Sequence, residues 1–272
     1  MALASLKIRK LEDIVRSCDS AVVAFSGGVD SSVLAAVARK VLGRKAVAVT
    51  LDSPAMPRSE LAEARKLARW IGIRHVVFKH DELKDRNFVK NTIRRCYYCK
   101  RLLAQRLRQF ALNHNLSCVL EGTNASEVRG HRPGFRALRQ AGVKSPLAIA
   151  GFTKKDVRSL ARAFKLPVQD KPSMACLSSR IPYGTLVTAR DLRRVELAEA
   201  CLKKQGFSQV RVRCYGRLAV IEVMPEEFPM AFDNGTRIAK AFRRLGFSRT
   251  TLDLQGYRTG SMNKDFKYFR LR

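Results

Sequence analysis

Acidic residues are scarce in this 272-residue chain: 23 Asp and Glu stand against 53 Lys and Arg, for a formal net charge of +30. The excess is spread along the sequence, with 34 basic against 14 acidic residues up to Cys176 and 19 against 9 beyond it. That distribution excludes a lone basic tail. It suits either a polyanionic partner such as RNA or phosphorylated small substrates. No run of about 18 apolar residues occurs, which argues against a transmembrane helix and a membrane partner. The opening stretch, MALASLKIRKLEDIVRSC, is amphipathic and lacks the apolar core of a signal peptide, so the cytoplasm is the expected compartment. Only four histidines are present and they are scattered, which leaves no His pair for a zinc site. At 46% hydrophobic and 28% charged residues, the chain can still bury a globular core.

An odd cysteine count, seven, without a secretory signal excludes a disulfide framework. Cys18, Cys118, Cys201 and Cys214 lie among apolar residues and read as small core side chains. Cys96, Cys99 and Cys176 have polar and basic neighbours.

Apolar periodicity alternates between strand and helix. Strands are expected at 21–25, 45–51, 75–80 and 117–122, with SPLAIAGF (145–152) as a fifth extended segment. Helices are expected over 5–18, 31–43, 59–72, 99–115 and 153–167. Gly43 closes the second, Ser59 is the N-cap of the third with Glu63 near the reciprocal capping-box position, and Thr153 with Asp156 caps the last. This pattern predicts an α/β fold, a parallel Rossmann-like sheet with helices on both faces. From about residue 168 the periodicity fades. The expected organisation is a first domain over 1–168, a functional linker over 169–188, and a smaller α+β domain over 189–272. That last domain begins with an amphipathic helix, followed by the alternating strands QVRVRC and LAVIEV. A helix near 234–246 and a strand near 250–254 complete it.

The stretch AFSGGVDSSVLA (24–35) follows the first strand and opens the second helix. A Gly-rich strand–helix turn presents backbone N–H groups and a helix N-terminus to an anion. Gly27 and Gly28 allow close approach, and Ser26, Ser31 and Ser32 add hydroxyls. No Lys follows the glycines, which excludes a Walker A loop, and G-x-G-x-x-G is absent as well. Asp52 ends the second strand. Gly122 and Asn124 follow the fourth, where ligands of such sheets lie.

Cys96-Tyr-Tyr-Cys99 sits just before a helix among basic residues, a setting that lowers a thiol's pKa. A single C-x-x-C serves zinc, an iron–sulfur cluster or redox cycling, and three cysteines suffice for a cluster with one open iron. Cys176 lies in the polar loop ACLSSRIPYGT, where Arg180 is placed to favour a thiolate and to bind phosphate. Arg211 and Arg213, two apart on a strand, share one face.

SGGVDSS resembles the signature of the PP-loop ATP pyrophosphatases. That resemblance implies ATP cleavage between the α and β phosphates, with Asp30 positioning Mg²⁺–pyrophosphate. Further along, CYYCK, EGTNASE, RPGFRAL, SPLAIAGFTKKDVRSLA, DKPSMACLSSRIPYGT, the VRVR strand and GYRTGSMN resemble the LarE-type sulfur transferases over nearly the whole chain. The resemblance implies adenylylation of pyridinium-3,5-biscarboxylic acid mononucleotide and replacement of carboxylate oxygen by sulfur, for a nickel-pincer cofactor. It further implies a [4Fe-4S] cluster on Cys96, Cys99 and Cys176, with Cys176 also catalytic, or alternatively sacrifice of the Cys176 sulfur. By the same likeness Ser26, Gly27, Gly28, Asp30, Ser31, Asp52, Gly122 and Asn124 bind the nucleotide, and Ser179, Arg180, Arg211, Arg213 and Arg258 bind the substrate phosphate. Glu199 and Glu222 are its acidic candidates for metal binding or catalysis, although Glu199 equally fits a solvated helix face. A homo-oligomer is implied as well. No residue points to the sulfide source. A PP-loop tRNA thiolase using the same cluster is the alternative, and it would account for the charge.

Overall fold

The computed structural model describes residues 2–128, 133–172 and 175–258. The chain runs through α1 (Ala2–Arg16), β1 (Ala21–Ala24), α2 (Val29–Leu42), β2 (Ala46–Asp52), α3 (Arg58–Ile71) and β3 (Arg74–Lys79). It continues through α4 (Arg86–Val89), α5 (Arg95–Asn113), β4 (Cys118–Leu120), α6 (Ala125–Val128), α7 (Pro133–Gln140), α8 (Pro146–Ile149) and α9 (Lys154–Ala163). A 3₁₀ turn over Leu177–Arg180 precedes α10 (Ala189–Lys204), β5 (Arg211–Tyr215), β6 (Leu218–Glu222), α11 (Phe228–Asp233), α12 (Gly235–Arg244) and β7 (Arg249–Leu252). The chain divides into two compact units, Met1–Asp81 with Cys96–Met174 and Glu82–Arg95 with Ala175–Arg272.

In the first unit four parallel strands pair in the order β3-β2-β1-β4. Ala21, Val22 and Val23 of the central β1 are fully buried, as expected for a strand covered on both faces. Leu11 and Val15 of α1, and Val33, Leu34 and Val37 of α2, pack in the core cluster that also holds Val23. The expected parallel α/β sheet is therefore present, with two corrections. SPLAIAGF is not extended: Pro146 opens the short helix α8, and only a bridge between Leu120 and Lys144 continues the sheet. Pro has no N–H to give a ladder but suits the first helical position. The capping box at Ser59 is also absent. Helix α3 starts one residue earlier after Pro57 with no side-chain cap, and Glu63 instead binds Lys171 at 2.5 Å. The Thr153–Asp156 box on α9 forms as expected.

In the second unit β5 and β6 form an antiparallel hairpin and β7 joins β6 in parallel. Leu192, Val195, Ala198 and Leu202 recur at helical spacing on α10 and are buried. The segment Glu82–Arg95, which the linear reading leaves in the first domain, belongs here. Asn91 explains why. It adopts a left-handed φ of 52°, and its buried amide nitrogen donates to the carbonyls of Ile181, Pro182 and Thr185 at 3.3, 2.7 and 2.9 Å. Among the described residues no helix is long and apolar enough to cross a membrane.

One buried polar contact links β2 and β3 to the segment that follows β1. The Thr50 hydroxyl donates to the Phe25 carbonyl at 2.5 Å, so its oxygen accepts from His75 Nε2, 2.8 Å away. The Phe25 ring meets the imidazole edge-on at 5.5 Å. Burial, reinforced by Arg65, holds the His75 pKa below its usual value. The unfolded imidazole takes up a proton near pH 6.5 while the folded one resists it. Stability should therefore fall as pH drops below about 6.5, and His75→Gln should flatten that dependence in urea melts between pH 7.5 and 5.

Candidate functional site

The first candidate site is built at the carboxyl ends of β1 and β4. After Ala24 the chain turns through Ser26, Gly27 and Gly28 into α2. Gly27 takes φ +73°, and a Cβ there would lie 3.0 Å from Ala64, so the loop is packed flat against α3. Gly28 caps α2 with no side chain over the helix's first-turn amides. Its carbonyl accepts from Ser31 Oγ at 3.0 Å and Ser32 Oγ at 2.7 Å. The Ser26 and Ser31 hydroxyls meet at 3.2 Å. These serines shape the turn from within. The uncapped helix N-terminus is its anion-facing feature.

Asp30, in the first turn of α2, is gripped from two sides. Asn124 Nδ2 donates to one carboxylate oxygen at 2.9 Å, and Lys154 at the start of α9 pairs with the other. Asn124 is fully buried and its own oxygen accepts from the Ser126 amide at 3.0 Å. It therefore positions Asp30 from behind. Gly122 lies so close to α2 that a Cβ would be 2.9 Å from the Ser31 nitrogen, which any side chain would wedge open. Asp52 ends β2 and pairs with Arg58, whose guanidinium also donates to the carbonyls of Ser53 and Met56. Lys154 is a candidate site residue that motif spacing does not reveal. Its ammonium reaches Asp30 from 124 residues away in sequence.

The second candidate site lies in the second unit and is dominated by arginine. Arg180 is fully buried and binds Glu199 through two bonds of 2.8 and 2.9 Å. Arg213 binds Glu222 likewise at 2.8 Å twice, and donates to the Ser179 carbonyl at 2.8 Å. Glu199 is thus no solvated helix residue: it is 5% exposed and also accepts from the Val212 amide. Arg180 and Arg213 each have a carboxylate counter-charge.

Arg211 differs. It is 4% exposed, makes no ion pair among the described residues, and donates to the Val210 carbonyl at 2.8 Å and the Tyr257 hydroxyl at 3.5 Å. Its guanidinium stacks 5.2 Å over the Tyr257 ring. Burial first, then the charge of Arg180, lowers its pKa, and the nearby Glu199 charge offsets only part of this. Ser178 Oγ and Arg258 Nε are buried without a partner among the described residues. Ser178 was not among the expected site residues; only its burial with an unmet hydroxyl brings it forward. Ser179 turns its hydroxyl to the Cys176 carbonyl at 2.8 Å. Thr259–Asn263 of GYRTGSMN, Ser173 and Met174 of the linker motif, and Arg132 of RPGFRAL lie outside the described residues.

All seven cysteines are thiols. Cys96 and Cys99 stand in the first turn of α5, not before it, three residues apart and so on one helical face. Cys96 is exposed and Cys99 half-buried. In the second unit, Cys176 is exposed at the start of the 3₁₀ turn, with its carbonyl held by Ser179 and Arg180. Within either unit, no three metal-ligating side chains gather among the described residues. Of the four expected core thiols, Cys18 and Cys214 are buried, while Cys118 and Cys201 are half-buried.

Residues 6–180 match the family model described as NAD synthase. Pyridinium-3,5-bisthiocarboxylic acid mononucleotide synthase of Lactiplantibacillus plantarum is 35% identical over 97% of this chain and 96% of its own length. The chain belongs to the LarE family of PP-loop ATP pyrophosphatases. Another end-to-end relative is the uncharacterized protein slr1717 of Synechocystis, 40% identical over 95% of this chain and 97% of its own. The tRNA-specific 2-thiouridylase MnmA of the Wolbachia of Brugia malayi is 26% identical over 60% of this chain and 54% of its own length. Similarity to LarE thus spans the chain, whereas similarity to the thiouridylase spans only part of it.

Two variant sets separate the roles of these charges. Arg180→Ala leaves Glu199 buried without its cation and should destabilise the second unit by about 3–5 kcal/mol. Arg211→Gln removes a cation that has no partner to strand, and should leave the urea midpoint close to wild type. In the first unit, Lys154→Met should weaken ATP binding by about 10- to 100-fold in calorimetric titrations, the magnitude of one charge-assisted hydrogen bond.

Proposed function

We propose that this chain is an ATP-dependent sulfurtransferase that converts the carboxylates of pyridinium-3,5-biscarboxylic acid mononucleotide to thiocarboxylates. The end-to-end similarity to the Lactiplantibacillus synthase carries this reading. Each site supports one half of the chemistry. A substrate carboxylate oxygen attacks the α-phosphorus of ATP, the bond from the α-phosphorus to the bridging oxygen breaks, and pyrophosphate leaves. The uncapped N-terminus of α2 and the Lys154 ammonium offset the growing charge on that leaving group. The Asp30 carboxylate, fixed by Asn124, would hold Mg²⁺, since this ion takes one or two carboxylates and keeps substrate oxygens and water, and the ion would supply positive charge to the phosphates. Ser26, Gly27, Gly28 and Ser31 shape the pyrophosphate cradle, with Gly122 beside them and Asp52 toward the adenosine.

In the second unit Arg211, with Ser178, Ser179 and Arg258, holds the phosphate of the substrate mononucleotide. Arg180–Glu199 and Arg213–Glu222 are the rigid frame around it. Their carboxylates compensate all but one of the three buried guanidiniums, which leaves a net positive charge for a phosphate. The acyl adenylate then exchanges AMP for sulfur: a C–S bond forms and the C–O bond to AMP breaks. Three thiols, Cys96, Cys99 and Cys176, fit a [4Fe-4S] cluster with one open iron, and that cluster, when bound, supplies sulfide. The same reading includes a cytoplasmic homo-oligomer that serves nickel-pincer cofactor synthesis.

The partial similarity to tRNA 2-thiouridylases and the charge of +30 favour tRNA thiolation as a second reading. Exposure of the Cys176 thiol favours a variant in which Cys176 itself surrenders sulfur and becomes dehydroalanine. Intact mass before and after turnover distinguishes these. The protein mass should be unchanged while AMP and pyrophosphate accumulate with the pyridinium substrate. Loss of one sulfur and two hydrogens would mean sacrifice of Cys176. ATP-dependent thiolation of bulk tRNA, with no turnover of the pyridinium substrate, would replace the leading reading. Cys99→Ala should abolish the visible absorption of the anaerobically reconstituted protein.

A further inference from the structure

Two thiols that the proposed chemistry does not use meet at the amino-terminal edge of the first sheet, at the opposite end of the strands from the Ser26–Ser32 loop. Cys18 follows α1, where Asp19 turns the chain with a left-handed φ of 54° into β1. Cys118 opens β4, in register with Ala21, and its amide donates to the Ser20 carbonyl at 3.2 Å. The Ser20 and Ser117 hydroxyls meet at 3.0 Å beside them. The two thiols lie close enough for Cys118 to shift the titration of Cys18. Lys144, whose backbone bridges Leu120 of β4, donates to Cys18 Sγ at 3.8 Å and lies close enough to Cys118 to interact with its charge. The arrangement is two thiols under one ammonium, 100 residues apart in the chain and adjacent in space.

We propose that Cys18 and Cys118 form a reversible, oxidant-responsive disulfide site, with hydroperoxide as the oxidant and Lys144 as its positioning residue. The two sulfurs differ in the way such a site requires. Cys118 is half-buried and reachable, whereas Cys18 is 1% exposed. Burial, with the neighbouring Cys118 adding to it, pushes the Cys18 thiol up to about 12. Cys118 is therefore the attacking sulfur and Cys18 the resolving one. The Cys118 sulfur, having lost its proton, attacks a peroxide oxygen; the O–O bond breaks and water leaves, giving a sulfenic acid. The Cys18 sulfur then attacks that sulfenic sulfur, the S–O bond breaks, a second water leaves and the S–S bond forms. Two thiols lose two electrons in total and one peroxide gains them. Burial works against the Lys144 charge, yet the two sulfurs outweigh it and raise its pKa, so the ammonium persists to stabilise each transient thiolate.

The bond would join the end of α1 to the first residue of β4 and close a loop of about 100 residues, long enough to raise the melting temperature by about 10 °C. The test treats the full-length protein with one equivalent of hydrogen peroxide, quenches in alkylating denaturant and maps peptides without reductant. The expected product is a Cys18–Cys118 crosslink two hydrogens lighter than its parts, cleaved by dithiothreitol and accompanied by the higher melting temperature. In Cys18→Ser, Cys118 should instead be trapped by dimedone as the sulfenic acid. Lys144→Met should slow crosslinking about tenfold, with its far-ultraviolet circular dichroism confirming a folded chain. If Cys18 and Cys118 are recovered alkylated under peroxide sufficient to oxidise the exposed Cys96 and Cys176, the site is refuted. An unchanged rate in folded Lys144→Met would remove the lysine from it. Neither outcome touches the sulfur-transfer reading, which rests on other cysteines.

Discussion

The Asp30 carboxylate is the contact on which the arrangement of the first candidate site depends. Three segments far apart in sequence meet there: the first turn of α2, the loop after β4 through Asn124, and the start of α9 through Lys154. A carboxylate near a helix N-terminus is favourable by itself. Two donors of different charge then fix which oxygen faces where. This geometry also explains why Gly122 has no side chain, since the loop carrying Asn124 passes within contact distance of the Ser31 backbone. Without that approach Asn124 could not reach Asp30, and the carboxylate would be free to rotate.

The second unit solves a different problem, the burial of several guanidiniums together. A buried charge is costly unless paired and hydrogen-bonded. Arg180 and Arg213 meet that condition through bidentate contacts with Glu199 and Glu222. Arg211 is left compensated only by a carbonyl, a tyrosine ring and a hydroxyl. An anion that settles on Arg211 therefore recovers electrostatic energy already committed during folding. The pairing also separates arginines with a carboxylate partner from the one without, a distinction that residue type alone does not make.

Much of the first unit was legible from local signals. Continuous apolar strands, Gly43 after α2 and the Thr153–Asp156 box each act within a few residues, so their physics is written in the sequence around them. The failures had one local cause and two long-range ones. SPLAIAGF has the composition of a strand, yet Pro146 opens a helix there and leaves no donor for a ladder. Ser59 and Glu63 come within one residue of capping-box spacing, but Lys171, more than a hundred residues away, takes the glutamate. Glu199 fits a solvated helix face as well as a site role by sequence, but Arg180 and the Val212 amide surround it.

The sequence by itself determined the α/β class, the Gly-rich anion turn after β1, the absence of a Walker lysine and the positions of the reactive cysteine types. These follow from short-range rules of backbone geometry and hydrophobic period. Only the tertiary structure decided that Lys154 pairs with Asp30, that Arg211 alone among the three strand and loop arginines lacks a carboxylate, and that Glu82–Arg95 folds with the second unit through Asn91. Each of these is a contact between residues separated by tens to hundreds of positions. Such a pairing is selected by desolvation in a particular packed environment, and no spacing rule along the chain encodes it.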